Sequence, residues 1–347
     1  MNRPQNLSDS FFVPYKRPPS QDSINCFLAT VESYCQQKEL VESFDLAHFE
    51  HEFHIIDGAN TEIVDGIAAL KIESAWECRD SVSMLSDRVI RRIRERHGLA
   101  ISLEIINDKV AYLRRLEELR FDAICIFDNY LMSESYYYKR WHGFSVCILN
   151  GYDPATDRYG LLERKHGQSF ASTEDMYQSA EHFIETLGGS QIFHPVSVPV
   201  TTSATEIELS SDLERILESY HSEDPGSGRK GLQLFSTTYP QLIEKNTSFL
   251  IHWSQRGYGE RYANHRFFNA LRAAGHIAYA SNPAHWDYLS ALYKELGDLW
   301  RSFEMFHVYS VAHSNPAILK RNLPLLSSII AKEHDCMVAL EKLHASI

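Results

Sequence analysis

Hydrophobic positions first fall into a helical rhythm after Ser23-Ile24-Asn25, where Phe27, Val31 and Tyr34 recur on one face and predict a helix through Cys35 with Cys26 at its N-terminus. Leu85, Val89 and Ile93 mark a second amphipathic helix over Met84–His97, with Gly98 as its stop. Ile101 to Ile105 alternates like a strand, and 108–120 returns to helical spacing through Val110, Leu113 and Leu116. Three strand patterns follow, Phe121–Phe127, Gly143–Leu149 and Arg158–Leu162. The last two flank Gly151-Tyr152-Asp153-Pro154-Ala155-Thr156-Asp157, whose turn-forming residues predict a hairpin.

A helix is expected over Thr173–Leu187, opened by Ser172-x-x-Asp175, turning Met176, Ala180, Phe183 and Leu187 inward, and closed by Gly188-Gly189. Gln191–Val200 reads as a further strand, and Thr201-Thr202-Ser203-Ala204-Thr205 as a linker. Beyond it the pattern is helical over 206–220, 258–274, 283–309 and 316–344. Asn282-Pro283 and Asn315-Pro316 each place a cap residue ahead of a proline suited to the first helical position. The chain therefore divides into an arm over 1–20, an α+β domain over 21–203 and a helical domain over 204–347.

At 347 residues, with 44% hydrophobic and 23% charged side chains, the chain suits a packed globular protein rather than a disordered or collagen-like one. A net charge of −12 argues against nucleic acid as the organising partner. Neither a signal-peptide pattern nor a membrane-spanning apolar run is present, so a cytoplasmic location is expected and no membrane partner. The six cysteines lack a close C-x-x-C pair, which fits neither a disulfide scaffold nor a structural zinc site.

Cys26 has two readings: a buried small hydrophobe, or a thiolate favoured by the unpaired N–H groups and dipole of a helix N-terminus. The downstream order favours the second. Asp128-Asn129-Tyr130-Leu131, the aromatic run Tyr136-Tyr137-Tyr138 and Trp141-His142-Gly143 lead into an apolar strand ending at Gly151-Tyr152-Asp153. An early cysteine followed more than a hundred residues later by a histidine opening a hairpin is the order of a papain-like nucleophile and base.

With Asn25-Cys26-Phe27-Leu28, Asp128-x-Tyr130-Leu131, the strand into Gly151-Tyr152-Asp153 and the following strand ending in Glu163, residues 21–200 resemble the N-terminal domain of the butirosin-biosynthesis acyltransferase family. That family is itself similar to papain-like bacteriocin-processing peptidases. The resemblance implies a papain-like cysteine peptidase/acyltransferase domain followed by an all-helical one. It also implies transfer of an acyl group from an acyl or peptidyl carrier-protein thioester to a small amine, without cofactor or metal. Cys26 would be the nucleophile and Glu163 the acid that orients the base. By the residues themselves, Asn25 or Gln21 could help the backbone N–H of Cys26 bind the oxyanion, and Asp128 either supports the site from an adjacent strand end or only ends its strand with a turn hydrogen bond.

The base departs from the family pattern, whose histidine position falls on Ser145, a residue unable to act as a general base at neutral pH. His142 stands three residues earlier, roughly 10 Å away along an extended strand, and serves only if a bulge or turn around Gly143 folds it back. Asp153 is rejected as its partner, because eleven strand residues span about 36 Å. A thioester is already activated, which favours transfer over proteolysis even with a weakened base. A hydrolase using water and a non-catalytic partner-binding protein remain the alternatives. Arg88, Arg91, Arg92, Arg94 and Arg96 form a basic helix suited to an acidic carrier protein if it is not simply solvated. His48, His51 and His54 do not match H-E-x-x-H and read as a partly exposed polar edge, not a metal site.

Overall fold

The computed structural model describes residues 11–17, 19, 26–47, 49, 51, 53–55, 61–64, 67–73, 87–133, 135, 138–139, 142–164, 167–245, 250–253 and 257–347. In chain order the elements begin β1 (Phe11–Phe12), α1 (Cys26–Gln37), β2 (His54–Ile55), β3 (Thr61–Val64), β4 (Ile67–Glu73), α2 (Asp87–His97), β5 (Leu99–Ile106), α3 (Lys109–Glu118) and β6 (Ala123–Asp128). There follow β7 (Phe144–Asp153), β8 (Arg158–Glu163), β9 (Gly167–Ala171), α4 (Thr173–Leu187), β10 (Ser190–Ser197), α5 (Ser210–Tyr220) and α6 (Gly228–Glu244). The chain ends with β11 (Leu250–Trp253), α7 (Gly257–Ala273), α8 (Ile277–Ser281), α9 (Pro283–Ala312) and α10 (Asn322–His344).

Two compact units emerge, one from 1–44 with 98–199 and the other from 45–97 with 200–347. The expected boundary at 203 lies close to the Pro199/Val200 division. However, 45–97, assigned by position to the first domain, belongs to the second unit. Among the described residues, no helix is long and apolar enough to cross a membrane.

The first unit is α+β. Its sheet runs β5-β10-β6-β7-β8-β9, with β1 joining β7 as a seventh strand, and every pairing is antiparallel. β6 is buried along its whole length because both of its faces are covered. Cys125 and Phe127 pack with Tyr112 and Leu116 of α3 and Met176 and Ala180 of α4. On the other face, Phe27 of α1 meets Phe193 edge-on at 4.8 Å, and Phe193 pairs with Ile124. Each such buried apolar side chain contributes about 1.5–3 kcal/mol.

α4 has the expected bounds and a complete capping box between Ser172 and Asp175; it stops at Gly188, whose φ of 77° is left-handed. Within the hairpin, a Cβ at Gly160 would fall 2.3 Å from Asn150 Oδ1 and 2.7 Å from Phe12, so β1 can lie there only over glycine.

The second unit is not all-helical. It has a four-stranded sheet ordered β11-β4-β2, with β3 also on β4 and β11 parallel to β4. Around its aromatic core, α9 buries Trp286, Leu289, Leu296, Trp300 and Phe303 at helical spacing. Inside that core, Glu333 accepts hydrogen bonds from Arg261 Nη2 at 3.0 Å and Trp300 Nε1 at 2.7 Å, and meets His51 Nε2 at 2.6 Å. Arg261 also donates to Glu260 at 2.8 Å, and His51 Nδ1 lies 2.9 Å from the Tyr293 hydroxyl. His51 is therefore a buried member of this network, 3% exposed, rather than part of a polar edge. His48 lies outside the described residues.

Candidate active site

Cys26 is the first residue of α1 and, among the described cysteines, the only one that is not buried. Burial pushes the Cys35 and Cys125 thiols up to about 12 and those of Cys147 and Cys336 well above the usual thiol range, leaving them protonated and inert near neutrality.

α1 runs antiparallel to β6. Just past its C-terminal end, Lys38 forms an ion pair with Asp122, the residue before β6 begins. At mid-helix, Thr30 Oγ1 donates to the Val146 carbonyl at 3.0 Å, and Val146 pairs with Ile126. The first turn of α1 lies over the middle strands, with Phe27 on Phe193 and Cys26 close enough to Cys147 to raise its thiol. A groove of about 530 Å³ lined by Lys16, Arg17, Gln36, Gln37 and neighbouring residues lies at the other end of the helix.

At the end of β6, Asp128 is buried and caps the following turn through Oδ1, which accepts from the backbone N–H of Tyr130 at 3.0 Å and of Gly143 at 3.3 Å. Its Oδ2 is 2.6 Å from Nδ1 of His142. An ionised carboxylate only accepts, so this contact puts the imidazole hydrogen on Nδ1 and the lone pair on Nε2. The ring is 49% exposed and lies parallel to Tyr130, centroids 4.1 Å apart.

No bulge at Gly143 is needed to bring His142 here. The Asn129 N–H donates to the Gly143 carbonyl at 2.7 Å, carrying the β6–β7 ladder past its Asp128–Phe144 pair and setting Tyr130 against His142. The carboxylate on His142 is therefore Asp128, not Glu163. Glu163 is buried at the end of β8, where the ladder brings it level with Cys147. Burial, and then nearby Cys125, Glu163 and Cys26, raise the Cys147 thiol, which places Glu163 and Cys26 in its neighbourhood. Ser145, opposite Phe127, donates its hydroxyl to Asn129 Oδ1 at 2.7 Å. Gln21 and Asn25 lie outside the described residues.

A second imidazole completes the cluster. His182 of α4 packs against His142 with centroids 4.6 Å apart, and donor atoms of Asp128, His142 and His182 all lie within 4.8 Å of one another. His182 lies beside the inward-facing Phe183 on α4 and had no distinguishing signal in the sequence.

The five arginines of α2 do not form one docking face. Positions 88, 92 and 96 share a stripe at spacing four, beside the apolar Val89 and Ile93. Arg92 is buried on Asp212, Arg96 donates to the Leu46 carbonyl at 2.9 Å, and Arg88 is half-buried. Only Arg91 and Arg94 are exposed.

Comparison of the chain with protein-family models and with curated proteins gave no match in either case.

Proposed function

We propose that the first unit is a papain-like acyltransferase domain in which Cys26 takes an acyl group from a carrier-protein thioester and passes it to a small amine. The observation that carries this reading is the Asp128–His142 pair, a half-exposed imidazole 2.6 Å from a buried carboxylate, in the same unit as the half-buried Cys26 at the start of α1. Asp128 holds the ring in the tautomer whose Nε2 carries the lone pair, the arrangement a general base requires.

In the forward step His142 Nε2 removes the Cys26 proton and the sulfur attacks the thioester carbonyl. The carrier thiolate then leaves and takes that proton. The amine next attacks the acyl-enzyme and gives up a proton through His142, the amide forms, and the Cys26 thiol is restored. Because a thiolate is a good leaving group, the step demands less of its base than peptide cleavage does. The reaction needs no cofactor.

Intact-mass measurement after incubation with an acyl thioester tests this. A single acyl adduct is expected on the native protein and not on Cys26→Ala, with amide appearing when amines are added. Free acid released at the same rate with or without amine would make the protein a hydrolase. No adduct with any carrier thioester would leave the non-catalytic, partner-binding reading.

A further inference from the structure

We propose that Asp128, His142 and His182 together form a binding site for one divalent transition-metal ion, with zinc as the physiological class. Two imidazoles and a carboxylate are the donor types such ions select, and three protein donors leave a fourth position open to water or a thiolate.

The donors are held in place before any ion arrives. Asp128 has its Oδ1 fixed by two backbone N–H groups, which leaves Oδ2 on His142. His142 is clamped flat against Tyr130. His182 rides on α4, and α4 is tied to the same strand end by Ser179, whose hydroxyl accepts the Asp128 backbone N–H at 3.0 Å.

Their donor atoms already lie within 4.8 Å of one another, so small side-chain rotations reach the separations that bonds of about 2.0–2.2 Å to a common ion require. The ion takes the place of the hydrogen between Nδ1 and Oδ2, and that hydrogen passes by way of solvent to Nε2, so the ring binds as a neutral imidazole through the Nδ1 lone pair. On the acyltransferase reading, the same ion would take the Asp128–His142 contact out of service and act as an inhibitor.

The test is titration of the full-length protein with cobalt(II), followed by visible absorption, with zinc as competitor. One ion per chain is expected, displaced by one zinc. His182→Asn should weaken binding by at least about tenfold, while His182→Cys, which supplies a new ligand at that position, should restore it. Thermal melting of both variants shows that the fold is retained. Unchanged affinity in His182→Asn, or binding abolished by Cys26→Ala but not by His182→Asn, would overturn the site. The readout is metal binding alone, so its failure leaves the acyl-adduct experiment untouched, and failure of the acyl adduct leaves the metal site standing.

Discussion

His51 with Glu333 in the second unit and His142 with Asp128 in the first are both imidazole–carboxylate contacts of 2.6 Å. Their surroundings differ. His51 is enclosed, with Tyr293 on its other nitrogen, and Glu333 is shared among His51, Arg261 and Trp300. Every polar atom of the His51 ring is already committed, so that pair can only hold the core together. His142 commits one nitrogen to Asp128, its ring is half exposed beside a second histidine, and among the described residues its other nitrogen has no hydrogen-bond partner. The two contacts are equal in length and differ in exposure: the His51 side chain is 3% exposed and that of His142 49%.

The sharpest way to break this comparison is to neutralise each carboxylate. Asp128→Asn should lower the rate of acyl transfer by about 10²–10⁴-fold, while unfolding in urea shifts by only about 1–3 kcal/mol. Glu333→Ala should cost about 3–5 kcal/mol of stability in the same assay, because Arg261 is left buried without its main partner. Equal stability losses in the two variants would make the Asp128 pair another structural contact.

Acid separates the pairs next. Burial, then the Arg261 charge, lowers His51 to about 4, against Glu333, which works in the opposite direction. The folded unit holds His51 neutral, whereas the unfolded chain protonates it below about 6.5. The resulting stabilisation is complete above pH 6.5 and is lost as pH falls towards 4, about 3 kcal/mol in all. His97, lowered to about 4 by burial and then Arg96, adds in the same direction. Denaturation midpoints at pH 7 and pH 5 should show this slope in the native protein and a shallower one in His51→Gln. The smallest effect is expected at Arg91 and Arg94, whose joint replacement by alanine should change stability by less than about 0.5 kcal/mol. Arg92→Ala, which uncovers buried Asp212, should exceed that several-fold in the same urea titration.

Local signals reached the fold where the chain states its own boundaries. The Ser172/Asp175 box, Gly188, Asn282-Pro283 and the turn after Asp153 all act within a few residues and are legible without tertiary information. Other elements carried weaker signals. α6 contains Pro240, and β11 has only four residues, paired with β4 about 180 residues earlier in the chain. Over Pro316–Arg321 the expected helix is a 3₁₀ turn before α10 begins.

The position of Cys26 as the first residue of α1 was legible because a helix start is a local feature. The choice of Asp128 over Glu163 was not, since it depends on strand register. Once Ala123–Leu149 and Asp128–Phe144 are known pairs, extending the ladder by two residues brings Tyr130 to His142. His182 reaches the cluster only through the packing of α4 on β6.

The membership of 45–97 in the second unit has a consequence for how the chain is made. His51 leaves the ribosome about 280 residues before Glu333, which at roughly 5–20 residues per second is a delay of about 15–60 s. Throughout that interval a segment carrying Phe49 and Phe53 has no finished core to enter, so during synthesis it is a natural substrate for chaperones.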